Sequence, residues 1–351
     1  MEQFVCVRLV QANAMDLTLF QFDYDMTFAV FFMNADKTVY GRFGSRSDQK
    51  EATRDISIEG FREALSVALE LHKSYPANRA TLAGKQGRPV QFKTPDDYPS
   101  LRGKYQSTLD YTGKVVQSCM HCHQIREAER KWWRTEKKPA PDSVIHPWPM
   151  PDVIGLELDP TAKARVKNVV KQSAADHAGF QAGDEILTLE GQPLLSIADL
   201  QWVLQNAPAP ATLGARVKRG RSELDLTLAL PADWRRASDI SWRVSTWELR
   251  RMVTGGLVLK DLPTDERTKA GLSDADLALL VHYVGEYGEH AVGKRAGFKK
   301  GDIIVSADGK TARLTESDFM TWLLQEKFGG VKIPVTVLRA DARVNLELPL
   351  Q

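Results

Sequence analysis

Cys119-Met120-His121-Cys122-His123 is the densest group of reactive side chains in the sequence. It fits C-x-x-C-H, the attachment pattern of c-type haem. Two thiols one helical turn apart can add to the two vinyl groups, and the adjacent imidazole, His123, can reach the iron from the proximal side. Cys119, Cys122 and His123 are therefore candidate residues for a covalent haem c. Three other readings stay open. With His121, His123 or His146 the cysteines could complete a zinc site. They could form a reversible dithiol, because a helix start lowers a thiol pKa. They could also be a coincidence of a helical insert, with no cofactor. No sixth haem ligand is assigned; His146 and Met150 stand downstream in the sequence. Cys6, alone in the apolar run Phe4 to Val10, reads as a small buried hydrophobe in a strand.

A second chemistry is carried by a repeat. Ala178-Gly179-Phe180-Gln181-Ala182-Gly183-Asp184-Glu185-Ile186 returns as Ala296-Gly297-Phe298-Lys299-Lys300-Gly301-Asp302-Ile303-Ile304. After each copy come a turn (Glu190-Gly191-Gln192, Asp308-Gly309-Lys310), an amphipathic helix (Ser196 to Gln205, Thr315 to Gln325) and a strand ending in Arg219 or Arg339. Gly183 and Gly301 fit turn conformations that a β-carbon opposes. In this order the two stretches, from about Ile154 to Leu230 and from about Gly255 to Leu350, resemble PDZ domains of the bacterial, circularly permuted type. That resemblance implies β-augmentation: a peptide carboxy terminus adds to a strand edge while backbone amides of a glycine loop hold its carboxylate. Ile154-Gly155-Leu156-Glu157 matches the loop in the first copy. In the second copy the equivalent is either Gly256-Leu257 or Gly271-Leu272.

The elements upstream read as a strand Thr27 to Met33, a turn Asn34-Ala35-Asp36-Lys37, a strand Thr38 to Arg42, and a helix Ile58 to His72 capped by Ser57. The order resembles the second half of a thioredoxin fold. A helix is expected around Gln117 to Arg134. The prolines from Lys138 to Pro151 predict an extended, semi-rigid spacer that separates the front half from the repeat. The expected architecture is α+β and multidomain: a partial thioredoxin-like α/β unit (1–78), a helical insert with the C-x-x-C-H motif (79–137), the proline-rich linker (138–151), and two PDZ-like β-rich modules (152–232 and 255–351) joined by a connector (233–254).

Phe22-Asp23-Tyr24-Asp25, Tyr40 to Arg46, Cys119 to His123 and Asp239-Ile240-Ser241-Trp242-Arg243 together resemble the bacterial thioredoxin-like/PDZ (seleno)protein family. The resemblance implies an upstream redox motif, sometimes bearing selenocysteine, and hence an expectation that this chain is truncated. It also implies an exported protein, periplasmic or at the cell surface, although no signal peptide stands at the start of the sequence. The expected function is that of a redox-associated scaffold that binds peptide or protein carboxy termini and carries haem c. The alternative is a thiol-disulfide oxidoreductase whose redox motif lies outside this chain.

Composition narrows the classes. Lysine and arginine number 47 against 45 aspartates and glutamates in 351 residues, a net charge of +2 that gives no electrostatic footprint for nucleic acid. The apolar run Met26 to Met33 is far shorter than the roughly 18 residues of a membrane span. Neither G-x-S-x-G nor H-E-x-x-H occurs, so two common hydrolase devices are missing and binding is expected rather than turnover. Trp132, Trp133, Trp234, Trp242 and Trp247 read as core or interface anchors.

Overall fold

The computed structural model describes residues 2–48, 54–340 and 342–351. By contacts the chain forms two compact units: Met1–Ile125 with His146–Ser238, and Arg126–Ile145 with Asp239–Gln351.

In the first unit, β1 (Val30–Met33) and β2 (Val39–Phe43) pair antiparallel. The turn between them has Asn34 N–H donating to Thr38 O at 2.9 Å and Lys37 in the left-handed region at φ 69°. Helix α1 (Ile58–Lys73) follows, and the Ser57 hydroxyl accepts from Gly60 N, the expected cap. Helix α2 (Cys122–Thr135) begins in this unit and continues into the second. The first copy of the repeat then supplies a two-stranded ribbon, β3 (Leu156–Leu158) with β4 (Val166–Val169). After helix α3 (Ala174–Ala178) come β5 (Glu185–Leu189), β6 (Gln192–Pro193), helix α4 (Ile197–Asn206), β7 (Ala211–Arg219) and β8 (Ser222–Leu230). These strands form a sheet of order β6-β5-β7-β8. Leu200, Val203, Ile186, Val217 and Leu228 share one buried cluster with Ile154, Leu156 and Leu158. At about 1.5–3 kcal/mol per fully buried aliphatic side chain, that cluster is what holds the ribbon, the helix and the sheet together.

In the second unit, helix α5 (Thr246–Thr254) precedes β9 (Leu257–Asp261), β10 (Leu279–Val284), β11 (Ile303–Ala307), helix α6 (Glu316–Glu326), β12 (Lys332–Arg339) and β13 (Ala342–Pro349). The sheet order is β13-β12-β11-β10-β9, so β9 is an end strand.

The two copies repeat bond for bond. Arg219 donates to both carboxylate oxygens of Asp184 at 2.7 Å and to Gly179 O at 2.7 Å. Arg339 does the same to Asp302 at 2.7 and 2.8 Å and to Gly297 O at 2.8 Å. The same carboxylates accept from Gln181 N and Lys299 N, each at 2.9 Å. Gly-Asp therefore recurs because the aspartate ties the turn to the terminal arginine of a strand. Gly179 and Gly297 recur because each ends a helical turn at φ 89° and 95°.

Four expectations need correction. Phe4 to Val10 is not a strand, and Cys6 is exposed; the run finds no partner strand, and without ladder bonds β-propensity alone does not hold one. The helix expected from Gln117 to Arg134 is two pieces, a single turn Val115–Ser118 and α2, broken at Cys119, which is extended at φ −88°, ψ 121°. The segment 138–151 is no polyproline spacer. It contains the helical turn Asp142–Ile145, and Ile145, His146 and Trp148 are buried, because their apolar surface outweighs the extended preference of the prolines. The front half is not held apart from the first copy either. Arg42 N donates to Asp199 at 3.0 Å, Lys85 Nζ lies 2.9 Å from the same carboxylate, and the Arg42 guanidinium stacks 3.7 Å from the Trp202 ring.

Candidate functional site

The loop singled out in the first copy sits at the entrance to β3. Pro151–Ile154 form one 3-10 turn, Gly155 N donates back to Asp152 O at 2.9 Å, and Gly155 closes the turn at φ 85°. A β-carbon at Gly155 would stand 2.1 Å from Ser173 Oγ, so the position needs glycine for both space and conformation. Gly155 O accepts from Val170 N at 2.9 Å. Backbone groups of a strand face its two sides alternately, so Glu157 also turns to β4 while the N–H and C=O of Leu156 and Leu158 face the other way. That other edge of β3 pairs with no strand among the described residues. The Glu157 side chain is on the surface, 2.7 Å from Lys167 Nζ.

Helix α4 completes the arrangement. Ser196 caps it by accepting from Ala198 N, and every residue from Ile197 to Leu204 is buried. One face belongs to the core. The other is covered from the front half: Trp202 Nε1 donates to Gly84 O at 2.8 Å, and Gln201 and Gln205 hold the backbone of Trp148 through its O at 3.0 Å and its N at 2.6 Å. The Ser57 hydroxyl donates to Pro160 O at 2.9 Å, just beyond β3. The front half is thus built into the walls around this strand, a role its sequence did not announce.

The hydrogen bonds also choose the loop of the second copy. Gly285 N donates to Gly256 O at 3.0 Å, the counterpart of Val170 to Gly155, and Gly256 has the same φ of 85°. Gly256-Leu257 is therefore the equivalent of Gly155-Leu156, and Gly271-Leu272 is not.

A family model described as PDZ domain matches residues 165–216. The chain carries a PDZ domain. A probable periplasmic serine endoprotease DegP-like of Marinomonas sp. (strain MWYL1) is 23% identical over 182 residues, 52% of this chain and 36% of the relative. The protein of the same description from Pseudomonas putida (strain W619) is 37% identical over 79 residues, 22% of this chain and 16% of the relative. The chain thus spans about a third or less of the length of these relatives. Among solved structures, the HtrA3 PDZ domain bound to a phage-derived ligand is 26% identical, with 22% of this chain and 81% of that chain covered and a TM-score of 0.19. The HtrA-type protease AlgW with decapeptide is 19% identical, covering 40% and 49%, with a TM-score of 0.25. The family match and the DegP-like relatives support the PDZ part of the sequence resemblance and lend nothing to its thioredoxin-like part.

The C-x-x-C-H motif is held by the amino-terminal segment. Ala12 N and the Asn13 side chain fix its bend, bonding Met120 O at 3.1 Å, Met120 N at 2.7 Å and Ser118 O at 2.8 Å. Met120 is buried, His121 is exposed, and the His121 and His123 rings stack with centroids 5.8 Å apart. Burial, and then the neighbouring Cys119, push the Cys122 thiol above its ordinary pKa. The helix start therefore does not activate it, which corrects the expectation of a lowered thiol pKa. His146 is buried and bonds Ser238 through Nδ1 at 3.1–3.2 Å. Among the described residues no group of three or more His, Cys, Asp or Glu is placed to hold a metal ion. Neither the cavity of about 300 Å³ at Arg134 and Gln351 nor the one of about 10 Å³ at Arg42 and Trp148 includes Cys119, Cys122 or His123.

Among the described residues no helix is long and apolar enough to cross a membrane.

Proposed function

We propose that the chain is a peptide-binding scaffold that takes carboxy-terminal segments of partner proteins along the free edge of β3. Ile154, Gly155, Leu156 and Glu157 form the entrance. The observation that carries the reading is the outward-facing backbone of Leu156 and Leu158 next to a glycine turn in a PDZ domain. The peptide adds as a strand beside β3, and its carboxylate lies against the amides at the loop. Relatives described as periplasmic support an exported, periplasmic setting. The test is fluorescence anisotropy with a labelled hexapeptide ending in Val-Phe-Val, offered with a free or an amidated carboxy terminus. Charge-assisted hydrogen bonds are worth about 1.5–3 kcal/mol, so amidation is expected to weaken binding at least tenfold. Equal binding of the two peptides overturns the reading.

The redox half of the expected function rests on motifs alone: C-x-x-C-H for haem c at Cys119, Cys122 and His123, with zinc or no cofactor as the alternative, and the order of β1, β2 and α1 for a partial thioredoxin-like unit. Its test is expression of an exported form beside a working c-type maturation system. Covalent haem gives a red protein whose colour survives acid extraction and is lost in Cys119→Ala with Cys122→Ala. A colourless protein ends that reading, together with the scaffold's haem-linked role.

A further inference from the structure

The second copy contains the same strand, loop and helix as the PDZ domain, and a helix of its own packs beside them. Helix α5 ends directly at the Gly255-Gly256 turn and lies against both β9 and α6, the two walls between which a peptide would run. Leu249, Met252 and Val253 of α5 are buried and belong to the core cluster that also holds Leu257, Leu259, Phe319 and Leu323. In the first copy the corresponding stretch is the 3-10 turn Pro151–Ile154, which also lies against both β3 and α4 but is four residues long against the nine of α5.

The strand edge is taken as well. Leu259 N, the counterpart of Leu158 N, donates to Glu316 Oε1 at 2.8 Å. Glu316 is 5% exposed and is held by Arg250 of α5 through two bonds of 2.9 and 2.6 Å. Glu316 is the first residue of α6 after its cap Thr315, as Ile197 is the first of α4 after its cap Ser196. One copy thus places a carboxylate where the other has a hydrocarbon with nothing to offer an amide. A buried N–H must find an acceptor, and in the second copy the protein supplies its own.

The structure assigns to α5 the role of a built-in occupant of the second groove, latched by Arg250 and Glu316 on Leu259, so that strand addition is left to the first copy. This rests on the peptide-binding reading for the contrast between copies, but the plug itself can be measured without any peptide. Hydrogen exchange on the full chain, followed by NMR, should show Leu259 N–H exchanging slowly in the wild type. In Arg250→Leu with Glu316→Ile it should exchange at least tenfold faster, with Val281 N–H, bonded to Asp302 O at 2.8 Å, unchanged. Should the double variant not fold, Glu316→Gln keeps an acceptor and should speed Leu259 two- to fivefold. Leu259 exchange that is already fast in the wild type, or unchanged in the variant that folds, overturns the assignment. Adding the free-carboxylate hexapeptide should leave wild-type Leu259 exchange as it was, and extra protection there overturns it too. If the peptide protects neither copy while Leu259 stays slow, the peptide-binding reading fails and the plug stands.

Discussion

The two copies of the repeat share a frame and differ in what surrounds it. Each ties Gly-Asp to a terminal arginine, each opens its first strand after a glycine at φ 85°, and each caps its helix with a hydroxyl residue. Around the first copy the covering comes from distant sequence and lies on the outer face of α4. Around the second it comes from α5, which packs against both strand and helix and whose Arg250 holds the Glu316 that takes Leu259 N–H. The two frames thus differ less in their own residues than in the few that precede them.

The comparison is broken most severely at what the copies share. Asp184→Ala and Asp302→Ala each leave an arginine and a turn amide without their buried carboxylate. Each should cost about 3 kcal/mol, read as a loss of thermal stability of similar size in both variants. Unequal losses would mean that the frames are not equivalent. The glycine turns should also be equivalent. A β-carbon at Gly256 would meet His290 O at 2.0 Å, and one at Gly155 would meet Ser173 Cβ at 2.2 Å, an atom that side-chain rotation does not move. Gly256→Ala and Gly155→Ala should therefore each cost about 3 kcal/mol, compared by chemical denaturation. Arg250→Leu with Glu316→Ile should cost about 1–2 kcal/mol, because an apolar pair replaces the buried ion pair at little net cost but leaves the buried Leu259 N–H without its acceptor. Smallest is the effect at Cys122, outside both copies. Burial favours its neutral thiol, so alkylation by iodoacetamide should set in at higher pH than for free cysteine in the same buffer. A lower onset would restore the activated dithiol.

Much of the frame was legible because its signals are local. Gly-Asp, the cap at Ser57, and the turn at Asn34 to Lys37 each name a backbone state that few other residues satisfy. What the sequence hid is tertiary. The prolines at 147, 149 and 151 suggest an open spacer, but Ile145 and Trp148 between and before them bring enough apolar surface to bury the segment. Residues 246–254 read as a connector although Leu249, Met252 and Val253 recur at helical spacing, a signal for α5 that the repeat boundary masked. Whether Glu316 meets Leu259 N could not be read from either position alone. It became visible only once Glu316 and Ile197 were seen to hold the same place in two helices.

The most direct measurement is an amide NMR titration of the full chain with the unlabelled free-carboxylate hexapeptide. Shifts at Leu156 and Leu158, with none at Leu257 and Leu259, are predicted, because the outer edge of β3 pairs with no strand among the described residues whereas Leu259 N–H is bonded to Glu316. Shifts at Leu257 and Leu259, or a saturable interaction that leaves Leu156 and Leu158 untouched, would contradict the account.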